Sequence, residues 1–306
     1  MCKKAASDRS RRRVGVRRAG APWDDGGCVT LPMFDPTDSP GPNFAEVLRR
    51  LDLGPFASGV GSSGDQASQL PFEVRHSTTI VALRYSDGVV MAGDRRATAG
   101  SSIAHRAMDK VLPADRYSGV AIAGAAGPAM EMVKLFQLQL EHYEKVEGAT
   151  LSLDGKANQL AQMVRSHLGM AMQGFVVVPL FAGFDLRRSA GRIYSYDPTG
   201  GRYEETDFHA DGSGGRDAKA TVKLGWSEGL GRSEAVELAV EALWNAADED
   251  SATGGPDVVR GIYPSVATIT SAGFEYLGTE EVAERFGAVV AQRMLPTTPS
   301  AGEPGR

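Results

Sequence analysis

The 306-residue sequence is poor in cysteine and histidine, the side chains on which many catalytic and metal sites depend. Its two cysteines, Cys2 and Cys28, both stand in the first tenth of the chain. A disulfide framework, a zinc site and a catalytic thiol in the main body are therefore excluded. None of the five histidines forms an H-x-x-x-H pair or stands near a serine elbow, so a Ser-His-Asp triad has weak support. A nucleophile in this chain would have to be activated without histidine.

Long apolar runs and an excess of basic residues are also missing. No uninterrupted apolar run approaches the roughly 18 residues of a membrane span, so we expect no membrane partner. The formal net charge of −5 argues against a dedicated nucleic-acid binder. With 42% apolar and 23% charged residues, the composition is typical of a folded globular protein, and not of a coiled coil or a wholly disordered chain.

The character of the sequence changes near residue 77. Residues 1–18 carry eight Lys or Arg and one Asp, but no apolar segment follows, so secretion is not expected. Residues 31–77 are rich in Pro, Gly, Ser and Asp, and only Asn43–Leu53 has helical spacing. A literal G-x-G-x-x-G pattern at 59–64 has polar, Gly-rich flanks, which predict a flexible linker and not a dinucleotide site. We therefore expect residues 1–77 to be a mostly disordered leader.

From Thr78 onward, paired strands and paired helices follow each other in blocks. Strands are predicted at 78–85, 88–94, 110–112, 117–124, 175–184, 192–196, near 203, 265–270 and 273–277. Helices are predicted at 128–146, 155–172, 216–224, 233–247 and 279–294. This segregation favours antiparallel sheets covered by helices over a doubly wound parallel sheet. We therefore predict one α+β domain at 78–294, a four-layer α-β-β-α sandwich of two antiparallel sheets between helix layers, and a flexible tail at 295–306.

A nucleophile that needs no histidine is available where the leader meets the first strand. If the chain were cut between Ser77 and Thr78, the new α-amine would have a pKa near ~7.7–8.0 and would be partly unprotonated at neutral pH. That amine could act as the general base for the hydroxyl of its own residue. The alternative is that Thr78 and Thr79 are simply β-branched strand residues.

Two charged residues stand at the ends of apolar strands. Asp94 ends the second strand and Lys110 precedes the apolar run Val111-Leu112. Buried charges are rarely tolerated singly, so the two suggest a pair, and a nearby ammonium would favour the alkoxide of a threonine. Surface charges at strand ends are the alternative. The small residues of 121–127 would allow backbone N–H groups to form an oxyanion hole, or would only allow a sheet to pack closely on a helix.

These segments, taken in order, resemble the β-subunit family of the 20S proteasome, a family of threonine peptidases with an N-terminal nucleophile. The resemblance runs from about Ser77 to Met294, and its segments are TTIVAL, GVVMAGDRR, AIAGAAG, GSG and DEDSATGGPD. The stretches LEHYEK and SATGGPD are similar to those of the actinobacterial branch. The resemblance implies a cytoplasmic precursor that cleaves itself before Thr78 and needs no metal or organic cofactor.

The resemblance also implies roles for individual residues. Thr78 matches the nucleophile, Asp94 and Lys110 match the charged partners that tune it, and Gly124 matches the residue whose N–H stabilises the oxyanion. A cluster that orients the amino terminus is matched by Ser213, Asp250 and Thr253. Backbone positions that hold an extended substrate are matched by Thr98, Gly124 and Ala126. The pocket for the residue before the cut is matched by Ala97, Met108, Leu112, Ile122 and Ala126, an apolar set that implies a preference for hydrophobic residues.

One position departs from the family pattern. Family members usually have Gly before the nucleophile, where its backbone freedom eases attack on the preceding carbonyl, and here Ser77 stands there. The sequence does not decide whether Ser77 slows self-processing.

The resemblance implies several partners. They are α-subunits and other β-subunits in stacked seven-membered rings, a ring ATPase that feeds substrates, and proteins tagged with a small modifier. Two other functions stay open. One is a non-catalytic ring subunit, although such subunits typically lose the threonine or its charged partners, which are present here. The other is a stand-alone amidase acting on a small metabolite.

Overall fold

The computed structural model describes residues 78–99 and 102–294. The predicted leader with its helix at 43–53, Ser77, and the predicted tail at 295–306 lie outside the described residues. The strands are β1 (Thr79–Tyr85), β2 (Gly88–Gly93), β3 (Ala97–Ala99), β4 (Ser102–His105), β5 (Val111–Asp115), β6 (Ser118–Gly124), β7 (Val177–Asp185), β8 (Ala190–Tyr196), β9 (Arg202–Glu205), β10 (Phe208–Gly212), β11 (Ser265–Thr270) and β12 (Gly273–Tyr276). The helices are α1 (Ala126–Glu147), α2 (Leu153–Ser166), α3 (Leu168–Ala171), α4 (Gly215–Gly225), α5 (Arg232–Glu249) and α6 (Thr279–Met294).

Two five-stranded antiparallel sheets form the centre of the described part. The first has the order β10-β1-β2-β11-β12 and the second the order β5-β6-β7-β8-β9, while β3 and β4 form a separate hairpin. The β1–β2 hairpin turns at Ser86 and Asp87 and runs in register from Ile80–Gly93 to Tyr85–Gly88. Because β1 lies between β10 and β2, its first residues have close neighbours on both sides.

Side-chain alternation along the strands produces three apolar layers. Ile80 and Ala82 of β1 face the second sheet and pack in a layer between the two sheets. Val81 and Leu83, on the opposite side of the strand, pack against α4, α5 and α6. A third layer joins the second sheet to α1 and α2 through buried residues such as Phe136. The predicted α-β-β-α sandwich of two antiparallel sheets is therefore confirmed.

The structure differs from the predicted elements at three places. The β3–β4 hairpin was not predicted because it is short and largely exposed, so its side chains show no alternation. Strand β10 was not predicted either, because it contains His209, Asp211 and Gly212, yet it pairs with β1 over five residues. The helix predicted to continue to Met172 ends at Ser166, and its chain restarts as the short α3. At the other helix of that pair, Gly148 ends α1 in the left-handed region at φ 67°, as expected for a C-terminal glycine.

Candidate active site

Thr78 stands immediately before β1 and is buried, with 5% of its surface exposed. Its carbonyl accepts a hydrogen bond from the backbone N–H of Ser213 at 2.8 Å, and its N–H donates to Ser213 Oγ at 3.3 Å. In the uncut chain this nitrogen belongs to the peptide bond with Ser77. After a cut at that bond the same atom would be the α-amine. The start of β1 therefore sets this nitrogen beside a hydroxyl from the loop after β10.

Asp94, directly after β2, is fully buried and accepts four hydrogen bonds. Its Oδ1 atom accepts from the backbone N–H of Thr79 at 2.8 Å and from Lys110 Nζ at 2.7 Å. Its Oδ2 atom accepts from the N–H groups of Arg96 at 3.0 Å and Gly254 at 2.9 Å. Since every contact is a donor, both carboxylate oxygens act only as acceptors.

Lys110 is 2% exposed and supplies the positive member of this pair. Burial lowers the pKa of its ammonium group, and the neighbouring Asp94 carboxylate raises it, with a net lowering. The two residues lie in different sheets, because Asp94 follows β2 and Lys110 precedes β5. The pair predicted from two isolated charges therefore bridges the sandwich beside Thr79, and a surface position is wrong for both.

Asp250, at the C-terminal end of α5, holds a second cluster of polar groups. Its Oδ2 atom accepts from Ser213 Oγ at 2.5 Å and from Thr253 Oγ1 at 2.6 Å. Partial burial raises the pKa of Asp250, but the hydrogen bonds from these two hydroxyls and from nearby backbone N–H groups outweigh it, so the pKa lies below its usual value. The carboxylate therefore stays ionised and fixes the Ser213 hydroxyl next to the Thr78 nitrogen.

Thr253 lies against Thr79. Its Oγ1 atom is 2.6 Å from Thr79 Oγ1, which also accepts from the backbone N–H of Gly214 at 3.1 Å. Of the three residues expected to orient the amino terminus, Ser213 accepts a hydrogen bond from the Thr78 nitrogen, and Asp250 and Thr253 are linked to it through the Asp250–Ser213 contact. Thr79 and Gly214 are not among the predicted site residues, and their one signal in the sequence is their position next to Thr78 and Ser213.

Gly124 ends β6 and lies in the left-handed region at φ 109°. A Cβ atom there would lie 2.1 Å from the carbonyl oxygen of Val176. The next residue, Ala125, donates its N–H to that same oxygen at 2.8 Å, and α1 begins one residue later. The strand-to-helix turn therefore requires glycine at this position.

Gly124→Ala should lower the midpoint of thermal unfolding by several degrees. The left-handed conformation costs an alanine about 1–2 kcal/mol, and the backbone must also move away from Val176. The matched control is Gly127→Ala in the first turn of α1, where an added Cβ meets no atom within 4 Å. We expect that control to unfold at or slightly above the wild-type temperature. Equal midpoints for the two variants would contradict this reading of the turn.

The residues expected to line the substrate pocket fall into two groups. Ile122 belongs to the apolar cluster between the second sheet and its helices, and Met108 and Leu112 pack against that cluster. Ala97 and Thr98 lie half-buried in β3, and Ala126 is exposed at the start of α1. Met108 is tied to the loop after β2 because its N–H donates to the carbonyl of Arg95 at 3.0 Å.

Residues 78–99 and 102–294 contain neither a metal-binding cluster nor a membrane-spanning helix. In that part of the chain, no three His, Cys, Asp or Glu side chains are grouped so that they could hold a metal ion. No helix there is both long and apolar enough to pass through a membrane.

The sequence was compared with protein-family models and with known proteins. The family model described as "Proteasome subunit" matches residues 74–260, a span that contains both polar clusters and Gly124. A protein of Acidimicrobium ferrooxidans named "Proteasome subunit beta" is 58% identical over 272 residues, which cover 88% of this chain and 97% of that relative. A protein of Jonesia denitrificans with the same name is 53% identical over 218 residues, which cover 71% of this chain and 72% of that relative.

Proposed function

This chain belongs to the proteasome subunit family as a beta subunit, and on that premise we propose that it is a threonine endopeptidase made as an inactive precursor. The observation that carries the proposal is the arrangement around the Thr78–Thr79 peptide. The Asp94–Lys110 ion pair contacts the N–H of Thr79, and the Ser213–Asp250 pair contacts the nitrogen of Thr78. This chemistry needs a nucleophilic hydroxyl and an amine that acts as its base, and Thr78 would carry both.

Activation would begin with self-cleavage. The Thr78 hydroxyl attacks the carbonyl carbon of Ser77, the C–N bond breaks, and the hydroxyl proton passes to the nitrogen, so that the 77-residue leader is left as an ester on the Thr78 oxygen and the α-amine is free. Water then hydrolyses this ester, which releases the leader as a carboxylate and restores the Thr78 hydroxyl. Until the C–N bond breaks, the nitrogen of Thr78 is an amide and cannot act as a base, so the precursor is inactive.

Turnover would use the same hydroxyl with its new amine as general base. The amine takes the hydroxyl proton while the oxygen attacks a substrate carbonyl, and the Gly124 N–H stabilises the oxyanion. The proton passes to the leaving amine, an acyl-enzyme forms, and an amine-assisted water hydrolyses it. The Lys110 ammonium would favour the alkoxide, and Asp94 would keep that ammonium charged. The apolar side chains of Met108, Leu112 and Ile122 support a preference for a hydrophobic residue before the cut.

The assembly would place this chemistry inside a chamber. As a proteasome beta subunit, the chain is expected in a core particle with alpha subunits. We propose stacked seven-membered rings in the cytoplasm, with a ring ATPase that feeds unfolded, modifier-tagged proteins.

Co-expression with alpha subunits tests the proposal. We expect ring assembly by gel filtration, a mature chain that begins at Thr78 by mass spectrometry, and hydrolysis of short peptides with a hydrophobic residue before the cut. An intact leader in an assembled, inactive ring would instead support a structural subunit. A compact active monomer would support a stand-alone amidase.

A further inference from the structure

Thr79 lies at the junction of the two polar clusters. It is fully buried, its N–H donates to Asp94 at 2.8 Å, and its hydroxyl oxygen lies 2.6 Å from Thr253 Oγ1. The same oxygen accepts from the N–H of Gly214 at 3.1 Å. The backbone of Thr79 therefore contacts Asp94, which binds Lys110. Its side chain contacts the loops of Ser213 and Thr253, which lie beside the Thr78 nitrogen.

The direction of each hydrogen bond follows from the number of hydrogens available. Thr253 has one hydroxyl hydrogen, and it goes to Asp250, whose ionised carboxylate can only accept. At the contact between the two threonines, the Thr79 hydroxyl must therefore be the donor. The Ser213 hydrogen goes to Asp250 at 2.5 Å in preference to the Thr78 carbonyl at 3.3 Å, so Ser213 Oγ is left to accept from the nitrogen of Thr78. Two chains of hydrogen bonds thus run from the adjacent residues Thr78 and Thr79 and meet at the Asp250 carboxylate.

Packing around Gly214 provides a second, independent observation. A Cβ atom there would lie 2.6 Å from Thr79 Oγ1 and 2.9 Å from Thr253 Oγ1. The loop that carries Ser213 is therefore pressed directly against the Thr79 hydroxyl. A side chain at position 79 without that oxygen would leave the Gly214 N–H buried and without its acceptor.

We propose that Thr79 is a positioning residue. Its hydroxyl fixes the Ser213 and Thr253 loops against β1, so that Ser213 Oγ faces the amine of Thr78. The inference rests on the proposed function, since the amine exists only after cleavage before Thr78. Thr79 would act through Ser213 and Asp250, without touching substrate. Because Asp250 is negative, this arrangement favours the protonated amine, and loosening it should lower the amine pKa.

The test compares Thr79→Val with the wild-type chain, each co-assembled with alpha subunits. We expect slower leader removal, a kcat about 10-fold lower for a short peptide with KM within about twofold, and an acid limb of the pH–rate profile moved to lower pH. Thr79→Ser, which keeps the hydroxyl, should restore the wild-type profile. A purely structural role would reduce the amount of assembled enzyme without moving the limb.

Thr268→Val is the matched control. Thr268 is buried on β11 and is paired with Val90, so it lies on the same helix-facing side of the same sheet but outside both polar clusters. We expect wild-type processing and an unchanged pH profile. If Thr79→Val does not assemble, Thr79→Ala, which removes the hydroxyl and adds no bulk, takes its place with the same expected outcomes.

The outcomes separate the inference from the proposed function. A wild-type chain that assembles without processing or turnover contradicts the proposed function, and the role of Thr79 with it. Active wild type together with an unchanged Thr79→Val profile overturns the Thr79 inference alone. The inference is also overturned if Thr79→Ser fails to restore the profile, or if Thr268→Val shifts it equally.

Discussion

Thr78→Ala should leave the 77-residue leader attached and reduce peptide hydrolysis at least about 10³-fold, to background. Alanine keeps the backbone, including the nitrogen that donates to Ser213 Oγ and the carbonyl that accepts from its N–H. The side chain loses its hydroxyl and one methyl group, so the fold and assembly should be preserved while both proposed reactions lose their nucleophile. Mass spectrometry of the assembled particle and a fluorogenic peptide assay measure the two effects.

Two further chains make this result specific. Thr150→Ala, at an exposed position between α1 and α2, should process and turn over as the wild type does. A chain that begins at residue 78, released from a cleavable tag and carrying Thr78→Ala, has the free amine without the hydroxyl. It should assemble and remain inactive, which separates the loss of catalysis from the retained leader. Leader removal from the full-length Thr78→Ala chain, or normal turnover by either Thr78→Ala chain, would contradict a threonine nucleophile.

The sequence predicts those site residues whose side chains differ sharply from their neighbours in the chain. Asp94 and Lys110 could be singled out because each is one charge at the end of an apolar strand, where burial demands a partner. Their pairing across two sheets depends on how β2 and β5 pack, which periodicity does not encode. The role of the amine could be suggested from Thr78 alone, but the Ser213–Asp250 contact joins residues from distant segments and was implied only by resemblance.

Other features of the site and of the fold cannot be predicted from the residue pattern. In the sequence, Thr79 cannot be distinguished from any other β-branched strand residue. Its hydroxyl acquires partners only in the fold, where the Gly214 loop packs against it. The backbone N–H groups of Arg96 and Gly254, which complete the shell around Asp94, belong to the peptide and not to any side-chain pattern. Strand β10 escaped prediction for a related reason, because its backbone pairs with β1 although its side chains are polar. Sites built from backbone groups at loop ends are therefore the part that sequence patterns describe least.

Asp94→Asn should reduce kcat/KM about 10³-fold and lower the free energy of unfolding by at least about 2 kcal/mol. Both carboxylate oxygens accept two hydrogen bonds, so an asparagine NH₂ group must face two donors in either orientation. Each buried donor left without an acceptor costs about 1–3 kcal/mol. The Asp94 charge also raises the pKa of Lys110 against the effect of burial, so its removal lowers that pKa further. A lysine that loses its charge near neutral pH would no longer favour the alkoxide of Thr78.

Asp87→Asn is the matched control, since Asp87 is exposed in the turn at the opposite end of the same β1–β2 hairpin. It should change neither kcat/KM nor the thermal midpoint appreciably. An Asp94→Asn enzyme with near wild-type turnover would contradict the role given to the ion pair.

A double variant separates the two roles of the pair. Lys110→Met alone leaves the Asp94 charge buried with only its three N–H donors, and breaking such a pair costs about 3–5 kcal/mol. Adding Asp94→Asn removes that unpaired charge, so the double variant should be less destabilised than the sum of the two single variants. The rate of peptide hydrolysis should nevertheless stay at that of the less active single variant. A neutral pair can pack in the site, but it has no charge with which to favour the alkoxide of Thr78. Recovery of both stability and turnover would mean that the pair is structural, and that the Thr78 hydroxyl is activated by its own amine alone.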